Sequence, residues 1–437
     1  MGKSTITVGI LAALRARGLE VQPFKSGPDF LDPMHHNMVT PRISRNLDTW
    51  MFPGYVEESF LRSSEGADIS VIEGAMGFYD GYDGRSEEGS SAHLSKVLRC
   101  PVVLVLNASA SARSLGAVAM GFSAYDTEVD LRGIIFNKVG GKRHLEMAET
   151  SLRGAASLGG IPRDEDVGLK SRHLGLVPAG EEDNTLRYET ARRLVEENLD
   201  LDLLIEMARE APDLEAGSPV RFEEVQRRCR IGVAKDEAFN FYYQDNFDIL
   251  RSHGADIQFF SPLKEGVPDV DGLYFGGGYP ELFAKGLSEN EACLKQVKEL
   301  SSQGMPIYAE CGGMMYLLSE LRDLEGGSHR MTGIFDGVVE MTPRLEALGY
   351  VEARALSDNV LSKEGWVTRG HVFHYSRVVP GTWRRYAYDL SREGGIEGRR
   401  DGLVRDNTLA SYVHLHFGSN QSFTERFVES CEHWSGS

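Results

Sequence analysis

The sequence PIYAECGGMM at residues 306–315 places an apolar strand pattern, a cysteine, two glycines and a helical pattern in immediate succession. A cysteine between a strand and a helix, with glycines to relieve the strained turn, is typical of a nucleophile elbow. The start of the helix is expected to lower the pKa of the thiol. A buried core cysteine is the ordinary alternative, but the adjacent glycines and a second glycine-rich turn upstream favour Cys311 as a nucleophile.

Two further motifs in the same half supply groups that a thiol nucleophile needs. Upstream, LYFGGGYPE at residues 273–281 is a strand followed by a glycine-rich turn, where free N–H groups can stabilise an oxyanion. Downstream, SYVHLHF at residues 411–417 places His414 and His416 on one face of a predicted strand. Either histidine can serve as the base, and spacing alone does not choose between them.

Cysteine and histidine spacing argues against a metal or disulfide framework. The five cysteines are odd in number and lack CxxC spacing, which favours a reducing compartment. His371 and His374 lie close together, but no paired cysteine or acidic cluster is near them in the sequence. We therefore predict packing or substrate contact for these two histidines rather than metal binding.

Strand and helix patterns alternate through both halves of the chain. In the first half they predict helices such as 5–17 and 91–98 between strands at 21–24, 69–73, 102–106 and 133–136. In the second half they predict strands at 230–234, 256–260, 272–275, 306–309 and 409–415. Because near-continuous aliphatic runs are expected of parallel strands covered on both faces, we predict two α/β domains, the first doubly wound. They span 1–205 and 229–437, with a linker at 206–228.

The chain opens with the end of a phosphate-binding loop. Gly2, Lys3 and Ser4 match the last three positions of GxxxxGK[ST], and Thr5 begins a helical pattern. In such a loop the backbone approaches the phosphates, the lysine binds them and the hydroxyl binds Mg²⁺. We expect the first glycine of the loop and its strand to precede Met1, within roughly fifteen residues. A mobile terminus is the alternative.

Acidic side chains follow the predicted strands of the first half, at the end where doubly wound sheets bind ligands. Lys25, Asp29 and Asp32 come after the first strand, and Asp48 follows in NLDTW. Glu73 ends a strand before a glycine-rich turn, where a carboxylate can hold Mg²⁺ beside a nucleotide. Each aspartate alone suits a cap or a turn, but the group of four acids beside a phosphate-loop lysine favours a functional site.

Composition and charge exclude several classes of protein. The 437 residues contain 65 acidic and 47 basic side chains, for a net charge of −18. This charge repels phosphate backbones and no basic patch is evident, so we predict no nucleic-acid partner. No apolar run approaches the roughly 18 residues of a membrane helix, and no signal peptide opens the chain. We therefore expect a cytoplasmic protein without a membrane partner.

Six motifs, taken together, resemble those of the cobyrinic acid a,c-diamide synthases. In chain order they are FKSGPDFLDP, NLDTWM, EGAMGFYDG, GGGYPE, ECGGMMYL and YVHLHF, and they cover essentially the whole chain. Hydrogenobyrinic acid and nickel-sirohydrochlorin a,c-diamide synthases are similar as well, whereas cobyric acid synthases lack the GPD–DP stretch. The resemblance implies a P-loop NTPase domain like dethiobiotin synthetase, followed by a class I glutamine amidotransferase-like domain without the usual acidic third triad member.

The resemblance also implies roles in glutamine hydrolysis. Cys311 attacks glutamine and forms a glutamyl thioester. His414 matches the base of the family better than His416, because the class I histidine follows the aromatic-apolar pair of its strand. Gly277 and Gly278 shape the oxyanion hole.

In the first domain, the resemblance implies that ATP and Mg²⁺ activate an acetate carboxylate of the tetrapyrrole as an acyl phosphate, which ammonia displaces. Ser4 and Glu73 are the implied magnesium ligands, and Asp29 and Asp32 join Glu73 in carrying metal or positioning the macrocycle. Asp48 is a second candidate for substrate contact. The residues assigned to ATP are Gly2, Lys3, Ser4, Thr5, Lys25 and Asn137. Asn137 follows a strand and can bind an adenine edge, with a simple turn as the alternative.

The partners so implied are ATP, glutamine and a corrinoid or related tetrapyrrole, with a homodimer left open. Three other interpretations compete with the amidation of cobyrinic acid. The first is the same reaction on nickel-sirohydrochlorin, in coenzyme F430 biosynthesis. The second is a partitioning-type ATPase or nucleotide switch, which leaves Cys311 unexplained. The third is an inactive binding protein with an incomplete phosphate loop.

Overall fold

The computed structural model of the chain describes residues 2–164, 167, 171–172, 175–176, 179, 183–214, 225–383 and 385–435. By its contacts the chain divides into an amino-terminal unit, Met1–Trp50 with Val56–Val220, and a carboxyl-terminal unit, Met51–Tyr55 with Arg221–Ser437. The short segment Met51–Tyr55 therefore belongs with the later half of the chain. Residues 215–224 of the predicted linker lie outside the described residues, so the linker stays a prediction.

The amino-terminal unit alternates strands and helices. Its strands are β1 (Val21–Ser26), β2 (Arg45–Leu47), β3 (Ile69–Glu73), β4 (Val102–Asn107), β5 (Leu131–Val139), β6 (Ala156–Pro162), β7 (Ser171–Arg172) and β8 (Gly175–Leu176). Its helices are α1 (Lys3–Ala16), α2 (Leu31–Val39), α3 (Val56–Ser64), α4 (Ser91–Val97), α5 (Ser114–Tyr125), α6 (Lys142–Glu149), α7 (Thr185–Asn198) and α8 (Leu201–Arg209).

Hydrogen bonds join the six longer strands of this unit into two parallel, three-stranded sheets, in the orders β2-β1-β3 and β4-β5-β6. The apolar face of α1, which includes Ile6, Leu11 and Leu14, lies in the core of the unit. At Gly9 this helix meets α7 so closely that a Cβ would lie 2.7 Å from the Val195 side chain. The predicted parallel α/β arrangement is confirmed.

The carboxyl-terminal unit contains many more strands. They are β9 (Cys229–Ala234), β10 (Ala255–Phe260), β11 (Gly272–Phe275), β12 (Ile307–Glu310), β13 (Leu318–Arg322), β14 (Ser328–Arg330), β15 (Phe335–Met341), β16 (Ala347–Ala355), β17 (Val367–His374), β18 (Ser376–Pro380), β19 (Tyr386–Leu390), β20 (Arg400–Arg405), β21 (Thr408–Ser411) and β22 (His414–Leu415). The helices are α9 (Gln244–Ser252), α10 (Ala284–Glu289), α11 (Glu291–Ser302), α12 (Gly312–Leu317) and α13 (Gln421–Ser435).

A ten-stranded sheet organises this unit, in the order β10-β9-β11-β12-β21-β20-β19-β16-β17-β22. The strands from β10 to β21 are parallel, and those from β21 to β22 are antiparallel. Strand β12 lies between β11 and β21, so the carboxyl ends of these three parallel strands meet at one edge of the sheet. Within the described ranges, no helix is long and apolar enough to cross a bilayer.

The strand predicted over 409–415 is wrong in one respect, because it is two strands, β21 and β22. The cause is the buried carboxylate of Asp401, which accepts the N–H groups of Tyr412 at 3.1 Å and Val413 at 3.3 Å. These bonds take both groups out of the sheet ladder, and β22 then pairs with β17. His416 consequently follows the second strand instead of lying within it.

Candidate active site

Cys311 lies at a sharp turn between β12 and α12. Its backbone angles, φ 46° and ψ −101°, are strained for a residue with a side chain, at a cost of about 1–3 kcal/mol. Its N–H donates to the Ser411 carbonyl at 2.7 Å, and the Gly313 N–H donates to the Gly276 carbonyl at 3.0 Å. The turn is therefore tied to β21 on one side and to the glycine-rich turn on the other, which is the elbow geometry that the sequence predicts.

The glycine-rich turn after β11 lies against both the elbow and His414. A Cβ at Gly312 would lie 3.1 Å from the backbone nitrogen of Gly278. A Cβ at Gly277 would lie only 2.5 Å from Cε1 of His414. The absence of side chains at these positions lets the predicted oxyanion turn, the nucleophile and one predicted base come together.

Burial is the largest cause of the pKa shifts of Cys311 and His414. Burial raises the pKa of the Cys311 thiol to about 12, the carboxylate of Glu281 adds to the effect, and the Gly312 N–H opposes it. Burial also holds the pKa of His414 well below its usual range, assisted by His371 and a further histidine. The expected lowering of the thiol pKa is therefore wrong, because burial favours a neutral thiol at Cys311 and a neutral imidazole at His414.

The two predicted bases have different surroundings. The ring of His414 stacks on His371, with centroids 4.8 Å apart and planes at 15°. The ring of His416 stacks on Phe52, with centroids 3.7 Å apart and planes at 18°, and it accepts the Gly418 N–H at 3.1 Å. His414 thus lies at the glycine-rich turn, while His416 packs against the segment Met51–Tyr55.

A buried cation surrounded by carboxylates forms the centre of the predicted site in the amino-terminal unit. The Nζ atom of Lys25 lies 2.5 Å from Asp32, 3.2 Å from Glu73 and 4.0 Å from Asp29. Lys25 and Glu73 are partners in the register of β1 and β3, so the sheet itself places them side by side. Burial alone would lower the pKa of Lys25, but Glu73 and the two aspartates outweigh it and raise that pKa.

The pKa values of the two buried carboxylates in this cluster, Asp32 and Glu73, are shifted in opposite directions. Burial raises the pKa of Asp32, and the charges of Glu73 and Asp29 add to the effect. Burial would raise the pKa of Glu73 as well, but Lys25 and His36 outweigh it and hold that pKa below its ordinary value. Glu73 therefore carries the negative charge that balances Lys25.

The end of the predicted phosphate loop lies beside this cluster. The Ser4 hydroxyl donates to Glu73 Oε1 at 2.8 Å. The Lys3 ammonium donates at 2.7 Å to a backbone carbonyl in the turn after β3. Gly2 adopts φ 88°, and a Cβ there would lie 2.6 Å from the amide nitrogen of Asn137. The structure therefore brings these residues to the same end of the unit.

Two of the predicted aspartates also accept local backbone hydrogen bonds. Asp48 is buried and accepts the Trp50 N–H at 2.8 Å, and Asp29 accepts the Leu31 N–H at 2.8 Å. Both thus serve the turn role that the sequence left as the alternative for each aspartate. Thr5 is half-buried in the first turn of α1.

Comparisons with known proteins match both units. Residues 230–422 match the model of a CobB/CobQ-like glutamine amidotransferase domain, and residues 1–177 that of a CobQ/CobB/MinD/ParA nucleotide binding domain. A cobyrinate a,c-diamide synthase of Methanobrevibacter smithii is 40% identical, over 98% of this chain and 97% of its own. Those of Picrophilus torridus and Caldanaerobacter subterraneus are 41% and 42% identical, each over 98% of this chain and 96% of its own.

The chain belongs to the cobyrinate a,c-diamide synthase family. Its two domains are those that the sequence predicts, a nucleotide-binding domain followed by a glutamine amidotransferase domain. The predicted enzyme class, a glutamine-hydrolysing and ATP-dependent amidoligase, is confirmed at the level of this family.

Sequence reasoning missed several residues that shape the two sites of this family member. His36 lies with Nε2 2.8 Å from Glu73 Oε2, and Asn46 donates to the Gly27 carbonyl at 2.8 Å, which fixes the loop after β1. Glu310 lies directly before Cys311 and faces His414. Nothing in the segment LDPMHHNM indicates a function for His36, whereas Glu310 lies in the elbow motif itself.

Proposed function

We propose that this protein amidates the a- and c-acetate carboxylates of cobyrinic acid, using ATP and ammonia released from glutamine, as a step of cobalamin biosynthesis. The observation that carries the proposal is the meeting of Cys311, the glycine-rich turn and His414 at one sheet edge. Full-length similarity to proteins named for this reaction supports the choice of substrate.

Glutamine hydrolysis begins with the neutral Cys311–His414 pair. As the sulfur attacks the amide carbon of glutamine, its proton passes to the imidazole, because a free thiolate is unfavourable in this buried site. Backbone N–H groups at Gly277 and Gly278 stabilise the oxyanion. The imidazolium then protonates the leaving nitrogen, so that ammonia departs and a glutamyl thioester remains for water to hydrolyse.

Amidation requires an activated carboxylate, because a carboxylate oxygen is a poor leaving group. We assign Lys3 and Ser4, with the backbone from Gly2 to Thr5, to the phosphates of ATP. Lys25 is a buried cation held beside three carboxylates, and it suits the phosphoryl group of an acyl phosphate. Asn137 suits the adenine edge.

The acidic residues of this unit suit the substrate side of the amidation site. Asp29 and Asp32 lie beside Lys25, at 4.0 and 2.5 Å. We assign them to positioning the macrocycle, with Asp48 as a further candidate. Ammonia attacks the acyl carbon and releases phosphate, which leaves an amide in place of the carboxyl group.

A magnesium ion fits the oxygen atoms at the end of the phosphate loop. The Ser4 hydroxyl and Glu73 Oε1 lie 2.8 Å apart and are hard ligands of the kind that Mg²⁺ prefers. Two protein ligands suffice for Mg²⁺, because phosphate oxygens and water complete its shell. When bound, the ion neutralises charge on the phosphates. Lys25 lies 3.2 Å from the same carboxylate oxygen, so we expect it to turn to phosphate when ATP binds.

The test is an assay of the full chain with ATP, Mg²⁺, glutamine and cobyrinic acid, followed by mass spectrometry of the product. We expect two carboxyl groups, and no more, to exchange OH for NH₂. Cys311→Ala should lose glutamine hydrolysis and still form product from ammonium chloride. No product from either nitrogen source would contradict the ligase assignment, and unaltered glutamine hydrolysis in Cys311→Ala would contradict the nucleophile.

Nickel-sirohydrochlorin is the competing substrate in the same assay. If only nickel-sirohydrochlorin gave product, it would replace cobyrinic acid as the assigned substrate. Equal use of both macrocycles would mean a bifunctional enzyme. ATP hydrolysis without amidation of either would instead favour a partitioning-type ATPase.

A further inference from the structure

Glu310 is a buried carboxylate directly before the nucleophile. It ends β12 and is only 1% exposed. Glutamate side chains are almost never fully buried unless a partner stabilises them. The steps of glutamine hydrolysis described above give this side chain no role, although it lies in the elbow motif.

Three donors hold the Glu310 carboxylate in one orientation. Oε1 accepts the Leu415 N–H at 2.9 Å and also the Tyr308 hydroxyl. Oε2 accepts the Tyr274 hydroxyl at 3.1 Å. Because both oxygens are fixed by groups from β11, β12 and β22, the carboxylate cannot turn away from the sheet edge where Cys311 lies.

The same carboxylate faces the predicted base. Glu310 Oε2 lies 3.9 Å from Nδ1 of His414, and both side chains are buried. This separation is longer than a hydrogen bond, so in the resting state the interaction is one of charge. The bond from Leu415 N–H to Glu310 fixes the peptide directly after His414, so backbone and ring are positioned by one side chain.

We propose that Glu310 is the positioning residue of His414, supplying a buried acid from the strand that carries the nucleophile. Its carboxylate favours the imidazole with the proton on Nδ1, which leaves Nε2 to take the proton of Cys311. This proposal rests on the proposed function, because it assigns a partner to the base of glutamine hydrolysis.

The step balances without any further reactant. The Cys311 proton moves to Nε2 of His414 as the bond from sulfur to the amide carbon forms, and the imidazolium is then flanked by the Glu310 carboxylate. The Nε2 proton passes to the leaving nitrogen as the carbon–nitrogen bond breaks. The step uses the ionised form of Glu310, which gains or loses no proton.

A matched pair of variants tests this role. His416 has its own buried acid, since Asp245 Oδ2 lies 3.7 Å from its Nε2 and is 1% exposed. Glu310→Gln and Asp245→Asn each remove one buried charge beside one histidine. We expect Glu310→Gln to lower kcat for glutamine hydrolysis about 100-fold with little change in KM, less than the roughly 10⁴-fold of a directly bonded triad acid. Asp245→Asn should change kcat less than threefold.

The outcomes separate this proposal from the proposed function. Both variants should form product from ammonium chloride at the wild-type rate, and Glu310→Asp should recover part of the lost kcat. An unchanged kcat in Glu310→Gln would overturn the proposal, as would a 100-fold loss in Asp245→Asn instead. If the wild-type chain forms no product even from ammonium chloride, the proposed function itself fails, whatever the glutaminase rates are.

The pH profile adds a readout that a structural role would not move. The titratable groups that act on His414 are the Glu310 carboxylate and the imidazoles of His371 and His374. Glu310 in turn accepts the hydroxyls of Tyr274 and Tyr308. We expect the wild-type kcat to fall on the acid side of about pH 7, and this fall to vanish in Glu310→Gln. A fall that persists in the variant would overturn the role of the Glu310 charge.

A spectrum of the wild-type chain decides the case in which Glu310→Gln fails to fold. With ¹⁵N-labelled histidine, we expect the resonances of His414, identified by their loss in His414→Asn, to show Nδ1 protonated and Nε2 bare. Protonation on Nε2 would overturn the proposal without any variant of Glu310.

Discussion

Glu310 carries a free-energy cost that depends on pH. Burial raises its pKa from 4.5 to about 7, so the folded state binds this proton more tightly than the unfolded state does. The stability that the neutral form contributes is complete below about pH 4 and is lost as the pH rises towards about 7. A shift of this size corresponds to about 3 kcal/mol.

We therefore expect the difference in unfolding free energy, Glu310→Gln minus wild type, to increase by about 3 kcal/mol as the pH rises from 4 to 8. Urea unfolding of both proteins across that range measures the difference. Glu299→Gln, an exposed position on α11, is the control. A difference that stays constant with pH would contradict a buried, ionising Glu310.

At the residue scale, the sequence predicts those functional side chains that belong to a short, recognisable motif. Cys311, the adjacent glycines and Lys3 stand in short motifs whose residue types require one another. Glu310 and His36 escape this reasoning, because their partners are distant in sequence: Glu310 meets Leu415, and His36 meets Glu73. Only the folded sheet shows that a glutamate at that position faces a histidine.

The glycine-rich turn after β11 packs closely against His414 of β22. A Cβ at Gly277 would lie 2.5 Å from Cε1 of His414, so we expect Gly277→Ala to displace the imidazole. A displacement of about 1 Å can cost about 100-fold in rate, and glutamine hydrolysis should fall by that factor. Product formation from ammonium chloride measures the other half-reaction and should not change.

Gly286→Ala is the matched control for this variant. It is a glycine of the same unit whose added Cβ would meet only the end of the Leu263 side chain, at 3.3 Å. Wild-type glutamine hydrolysis in Gly277→Ala, or equal losses in the two variants, would contradict the close approach of the turn to His414.

At the element scale, the sequence predicts most of the parallel strands, but it misses β2 and β6 of the amino-terminal unit and β13 to β20 of the carboxyl-terminal unit. Strand β4 is apolar from Val102 to Leu106 and β9 from Ile231 to Ala234, as expected where helices cover both faces of a parallel sheet. Strands β13 to β20 mix polar with apolar residues, as in SELR of β13, so their pattern resembles a loop. The break between β21 and β22 escapes prediction for another reason, because the interrupting acid, Asp401, lies on a different strand.

At the scale of the whole molecule, the proposed function combines glutamine hydrolysis with amidation, and we expect single substitutions to abolish one reaction and leave the other. Each unit has its own core, and the residues assigned to ATP lie in one unit while the residues assigned to glutamine lie in the other. Lys3 is half-exposed, so Lys3→Ala removes the cation assigned to the phosphates of ATP at little cost to folding. We expect Lys3→Ala to hydrolyse glutamine without forming amide, and Cys311→Ala to form amide only from added ammonium.

Mixing these two variants tests whether ammonia reaches the solvent before it is used. Ammonia released by Lys3→Ala is mostly protonated near neutral pH, and ammonium does not attack an acyl phosphate. With glutamine as the nitrogen source, the mixture should therefore form little product at pH 7 and progressively more as the pH rises and the free base accumulates. Product mass, followed against a wild-type reaction at each pH, measures this. Wild-type rates from the mixture at pH 7 would mean that free ammonia supplies the amidation, and that joining the two units in one chain brings no kinetic advantage.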